Sequence, residues 1–94
     1  MESDFVWDLG KEAVNLQKHK IDFKTAAKVF KDPDVMIFID TKHSLWEDRF
    51  FAVGLVEDRV MTVRFVYRSD KIRILGAGYW RKGVKQYEKE KNSN

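Results

Sequence analysis

The chain has no cysteine and only one proline in 94 residues. Without thiols, a disulfide scaffold and any thiolate zinc or iron–sulfur centre are excluded. Two histidines are present, His19 and His43, and their separation fits no zinc-ligand spacing. No run approaches the roughly 18 consecutive apolar residues of a membrane-spanning helix. The opening Met-Glu-Ser-Asp-Phe lacks the basic and apolar segments of a secretory leader. These absences lead us to expect a cytoplasmic protein with no cofactor and no membrane partner. What is present is 35% charged and 14% aromatic. That is too aromatic for a disordered chain and too charged for a membrane one. The length fits a single domain over residues 1–94, with no room for a second core.

The net charge of +3 hides an asymmetry. Residues 1–58 carry 8 Lys/Arg and 12 Asp/Glu, whereas residues 59–94 carry 10 and 3. A basic second part suits a phosphate-bearing or acidic partner, and it also suits a plainly solvated surface.

The apolar pattern changes period along the chain. Phe5-Val6-Trp7 reads as a short strand and Asp8 as a helix cap. Leu9, Ala13 and Leu16 form a helical stripe over Leu9 to Lys20. Phe23, Ala26, Ala27 and Phe30 form a second, over Phe23 to Lys31, capped by Asp22 and ended by Asp32-Pro33. From Val35 the spacing is that of strands: Val35–Ile39, Arg49–Val56, Val60–Arg68 and Lys71–Ala77, with hairpin turns near Glu57-Asp58-Arg59 and at Ser69-Asp70. A last helix is expected from Trp80 to about Lys91, weakened by Gly83 by about 1 kcal/mol relative to alanine. Asn92-Ser93-Asn94 is expected to fray. This predicts an α+β domain: a short N-terminal strand, two helices on one face of an antiparallel four-stranded meander, and a C-terminal helix.

A turn at Ser69-Asp70 pairs Arg68 with Lys71, Val66 with Arg73 and Arg64 with Leu75, all on one sheet face. The apolar face with Phe65, Tyr67, Ile72 and Ile74 is then the one the early helices cover. Arg49 shares the arginine face through the preceding hairpin, and Glu47 continues it. Several arginines around one carboxylate suit a phosphate substrate, because guanidinium groups donate paired hydrogen bonds and stay charged. Cleavage of RNA by its own 2′-hydroxyl needs a base, an acid and a cation. Glu47 is a candidate base, the arginines stabilise charge, and His43 or His19 is a candidate acid. Trp46, Tyr79 and Trp80 are candidates to stack on bases. The alternative is a sheet face laced by cross-strand ion pairs such as Glu47–Arg68.

Four stretches resemble a known family: Phe5-Val6-Trp7-Asp8 with Lys11, Asn15 and Lys18-His19; Phe23, Ala26-Ala27, Phe30 and Asp32-Pro33; His43-Ser44, Glu47-Asp48-Arg49-Phe50 and Gly54; and Val66-Tyr67, Ile72-Arg73-Ile74-Leu75 and Tyr87-Glu88. The chain is similar to BrnT toxins of type II toxin–antitoxin systems. The resemblance implies a RelE-like fold and a metal-independent ribonuclease that inhibits translation. It also implies a BrnA-like ribbon-helix-helix antitoxin that neutralises the toxin and alone contacts DNA. RNA is the implied substrate, and the ribosome a candidate site of action. Glu47, Arg49, Arg73 and His43 are the expected catalytic residues; Lys18, Arg64, Arg68, Arg81, Lys82 and Trp80 are the expected RNA or phosphate contacts. The chain departs from the family at Gly76-Ala77-Gly78, where Ser-Ala-Arg is usual. That departure motivates an alternative reading, a non-catalytic module that binds RNA or a partner.

Overall fold

A computed structural model describes residues 4–92. Strand β1 (Phe5–Trp7) leads into α1 (Leu9–His19) and α2 (Phe23–Ala26), which tightens into a 3₁₀ turn over Ala27–Lys31. Then come β2 (Met36–Ile39), a 3₁₀ turn at Thr41–His43, β3 (Arg49–Val56), β4 (Arg59–Arg68), β5 (Lys71–Gly78) and α3 (Arg81–Asn92). The sheet order is β1-β5-β4-β3-β2. The four later strands form the expected antiparallel meander, and β1 joins it parallel to β5, beside Ile72–Ile74. The result is a five-stranded mixed sheet. The fraying expected of Ser93-Asn94 lies outside the described residues.

Local chemistry sets the element ends. The Asp8 carboxylate accepts the Lys11 N–H at 2.9 Å and Asp22 accepts that of Thr25 at 2.6 Å, both as N-caps. The hairpin residues Glu57, Asp58, Ser69 and Asp70 all have φ between 48° and 69°. Two successive left-handed residues make the tight turn whose twist matches that of the flanking strands. The core lies between α2 with its 3₁₀ turn and one sheet face. Phe23, Val29, Met61, Val63, Phe65 and Ile74 are fully buried there, each worth about 1.5–3 kcal/mol of burial. Phe65 is its centre, with ring centroids 5.1 Å from Phe30, 5.6 Å from Phe50 and 5.3 Å from Tyr67.

Four expectations are corrected. The stripe Leu9, Ala13, Leu16 points outward: Leu9 is 76% and Leu16 42% exposed. The inward side of α1 is instead Glu12, Asn15 and His19, because α1 lies along a sheet edge where backbone groups need partners. The second helix is not α-helical throughout. Its buried residues Phe23, Ala26 and Val29 recur every third position, the 3₁₀ repeat. Arg64 does not face Leu75. A bulge makes Leu75 the extra residue, so that Phe65 pairs with Ile74 and Arg64 with Gly76. Finally, the two early helices do not both cover one face: α1 runs along the edge at β5, and α2 with its 3₁₀ turn covers the core. α3 lies across the opposite face, with Gly83 against Thr62 and Val53.

Two side chains close the sheet where neighbouring strands stop. Beyond its pairing with β1, strand β5 donates the Ala77 N–H to Asn15 Oδ1 at 3.0 Å, while Asn15 Nδ2 donates to the Ile21 carbonyl at 3.0 Å. Beyond its pairing with β2, strand β3 donates the Leu55 N–H to Asp32 Oδ2 at 2.7 Å. The same carboxylate accepts the Tyr87 hydroxyl from α3 and, at 2.8 Å, the Asp34 N–H. Burial raises the Asp32 pKa, but the bonds from Leu55, Tyr87 and Asp34, with the Lys91 charge, together bring it below the ordinary aspartate range. Burial, and then the same bond, push the Tyr87 hydroxyl up.

Asp32 therefore contributes stability that is complete above the unfolded value of about 3.9 and lost as pH falls through the lower folded value. Urea unfolding of Asp32→Asn should show about 1–3 kcal/mol less stability at pH 7 and a smaller loss than wild type between pH 5 and 2. An identical acid loss in both would remove Asp32 from that role. A methyl group at Gly83 would overlap Thr62 Oγ1 but sit 3.6 Å from Thr62 Cβ. Gly83→Ala should therefore lower the melting temperature in wild type. In a Thr62→Ala background the same change should raise stability by up to about 1 kcal/mol, the helix preference for alanine.

Candidate functional site

The sheet face under α3 carries its side chains in rows. One row is Arg49, Val66 and Arg73; the next is Phe51, Arg64 and Gly76; the third is Val53, Thr62 and Gly78. Arg68 and Lys71 lie at the hairpin end of the same face. Glu47, just before β3, pairs with Arg68 at 2.9 Å. The expected cross-strand ion pair is thus present. The hydrogen bond from Arg68, with the charges of Arg68, Arg49 and Arg73, holds Glu47 below the ordinary glutamate range against the opposing effect of its partial burial. The strands therefore converge Glu47, Arg49, Arg68 and Arg73 into one ionic cluster.

His43 sits in the 3₁₀ turn that opens the β2–β3 connection. Its Nδ1 is 2.8 Å from Oδ2 of Asp40, whose side chain is only 9% exposed against 61% for the imidazole. With Nδ1 engaged by that carboxylate, Nε2 is the ring nitrogen left to exchange a proton. The turn is tied to β3 twice: Asp40 N–H donates to the Arg49 carbonyl at 2.7 Å, and the Arg49 N–H donates to Ser44 Oγ at 2.9 Å. His43 is thereby anchored to the strand that carries Arg49. Asp40 is absent from the residues singled out in the sequence. The available signal was an Asp three residues before a His at the end of a strand.

Two glycines shape the rest of the face. Arg64 lays its guanidinium over Gly76, where a methyl group would overlap Nη2, and the Trp80 indole lies on Gly78, where a Cβ would meet its ring atoms at 2.8 Å. His19 packs edge-on against Trp80, with centroids 5.3 Å apart. His19 therefore belongs with Trp80 rather than with the carboxylate cluster. Lys18 and Arg81 are exposed on α1 and α3, not on the strands that carry the cluster. Lys82 and Trp80 line a groove of about 500 Å³ between α3 and the sheet. Trp46 is 93% exposed beside Glu47 in sequence, whereas Tyr79 lies under Arg59 at 3.6 Å and is half-buried. Among the described residues, no three His, Asp or Glu side chains group to hold a metal ion, and no helix is long and apolar enough to cross a membrane.

Residues 7–83 match the family described as "Ribonuclease toxin, BrnT, of type II toxin-antitoxin system". The chain belongs to the BrnT toxin family. No curated protein matches it significantly. Membership makes a ribonuclease toxin the coarse identity and implies an antitoxin partner and an RNA substrate. The match spans every strand of the BrnT sheet except the first two residues of β1, and it ends at Gly83, within the first turn of α3.

The ion pair makes a measurable prediction. Glu47→Gln removes one negative charge from among three arginines and frees Arg68. Binding of a single-stranded oligonucleotide should tighten at low salt, and the slope of log K against log[salt] should steepen by roughly 0.7. An unchanged slope would mean that Arg68 stays unavailable to phosphate.

Proposed function

We propose that this BrnT-family chain is a single RelE-like domain, a metal-independent endoribonuclease that inhibits translation by cutting mRNA. A ribbon-helix-helix antitoxin neutralises it, and DNA is reached only through that partner. The observation that carries this reading is the single carboxylate, Glu47, set among Arg49, Arg68 and Arg73 on an open sheet face. Arg49 and Arg73 hold the non-bridging oxygens of the scissile phosphate and stabilise the charge that grows there. Glu47, ionised at neutral pH, takes the proton of the 2′-hydroxyl as O2′ bonds to phosphorus. His43, oriented by Asp40, returns a proton to the 5′-oxygen as the P–O5′ bond breaks. The products are a 2′,3′-cyclic phosphate and a 5′-hydroxyl. Arg64, Arg68 and Lys82 extend the phosphate path along the face, Lys18 and Arg81 add positive charge on the neighbouring helices, and Trp80 offers a base a stacking surface. The outward stripe of α1, with Leu9 and Leu16, supports the reading that a partner covers part of this small domain.

A second reading has its own support. Glu47 is already bonded to Arg68, and Gly78 presents no side chain where the family resemblance implies arginine. On that reading the protein binds RNA or its partner without cutting.

Induced expression of the chain alone should arrest growth, and Arg73→Ala should relieve the arrest. The purified protein should cut RNA in the presence of EDTA, with Arg73→Ala slowing cleavage by about 10²–10³-fold. Normal growth with abundant soluble wild-type protein would overturn the toxin reading. RNA binding without cleavage would establish the second.

A further inference from the structure

The groove between α3 and the sheet lies apart from the reacting groups described above, with Trp80 and Lys82 in its lining. It is about 500 Å³ in volume, and its walls include Phe38, Phe51, Val53 and Trp80. Lys82 and Gln86 from α3 stand at its border, and Thr62 lies in its lining. Thr62 Oγ1 is buried and has no hydrogen-bond partner. Such a cleft combines flat apolar walls with a few groups that give and take hydrogen bonds. That is the pattern of a site for a planar heteroaromatic ligand.

Its position adds to this. Phe51 belongs to the same row as Arg64, and Val53 and Thr62 to the next. Successive same-face positions along a strand are about 6.6–6.8 Å apart. That is the reach from a phosphate to the base of the same nucleotide or its neighbour. The indole of Trp80 rests on the Gly78 backbone and meets the His19 ring in a T-shaped contact. A stacking surface already held in place loses little freedom when a base binds.

We infer that this groove is a base subsite: it takes one unstacked RNA base against Trp80 while the preceding phosphate lies on Arg64. Gln86 offers both a donor and an acceptor to the edge of the base, and Lys82 only donors. The groove therefore reads a base, whereas the arginine cluster reads phosphate. This rests on RNA being the ligand of the basic face.

The test is abasic scanning on the full chain. Short single-stranded RNAs with 2′-O-methyl groups, which block cleavage, are compared with versions lacking one base at each position in turn. One position should matter, with its removal weakening binding by about ten- to hundredfold. Gln86→Phe, which fills the groove from α3, should abolish that difference and leave the salt slope unchanged. Trp80→Ala should do the same, so that the proposal stands on two variants whose folding is checked by circular dichroism. Strong salt-dependent binding with no sensitive position, or a sensitive position that survives both variants, would overturn the base subsite while leaving RNA as the ligand. No binding of any of these RNAs by wild type at low salt would overturn the RNA reading itself, and the subsite with it.

Discussion

The hydrogen bonds that close the two edges of the sheet hold everything else in place. A strand that outlasts its neighbour exposes backbone donors that must be paired or solvated. β5 outlasts β1 and β3 outlasts β2, on opposite sides of the sheet. Asn15 meets the first and Asp32 the second. Asp32 does more than cap, because its carboxylate also takes the Tyr87 hydroxyl and so ties α3 to an edge from across the sheet. An apolar side chain at position 32 would give the Leu55 edge N–H up to water and leave the hydroxyl of the buried Tyr87 unpaired, the latter costing about 1–3 kcal/mol. That tie, with the Lys91–Asp34 ion pair and the seat of Gly83 on Thr62 and Val53, holds α3 over the face where the groove forms.

The charge asymmetry has a structural division of labour behind it. The acidic first part supplies anchors: Asp8 and Asp22 cap helices, Glu12 accepts the Phe23 N–H at 2.8 Å, Asp32 closes an edge and Asp40 holds His43. Most of these carboxylates accept backbone N–H groups. Glu47 differs, since its partner is a guanidinium and its surroundings are guanidinium groups. The basic second part supplies Arg64, Arg68 and Arg73 to one face. Three like charges on adjacent strands repel, and one carboxylate among them offsets part of that repulsion while leaving the face net positive. The same carboxylate therefore has a structural task, offsetting that repulsion, beside its proposed chemical one.

The sequence made the meander legible because strand alternation, two tight turns and Asp-capped helix starts are all local signals. The cluster was legible for the same reason: once the Ser69-Asp70 turn is fixed, Arg68 and Arg73 must share a face, and the β3–β4 hairpin brings Arg49 to it. The side of α1 that faces inward was not legible. Apolar spacing marks a core-facing stripe only when a helix packs on a core, and α1 packs on an edge, where Asn15 is worth more than Leu16. The placement of α3 was equally hidden, because nothing local tells which face a helix takes after the two-residue connection Tyr79-Trp80.

The one-residue bulge at Leu75 decides the character of the site face. Without it, the register set by Val66 and Arg73 would put Leu75 and Ala77 on the arginine face and turn Gly76 and Gly78 toward the core. With it, Ala77 is fully buried opposite Val63, and both glycines come up beneath Arg64 and Trp80. Bare backbone then becomes a bed on which a guanidinium and an indole lie flat, and Gly83 does the same for Thr62 from above. Bulges re-aim side chains next to functional sites in many sheets. Here the bulge re-aims the absence of side chains. It follows that an arginine at position 78 and the Trp80 indole in its present seat exclude each other. The flat aromatic surface over Gly78 therefore stands one row from Arg64, which the same shift of register holds over Gly76.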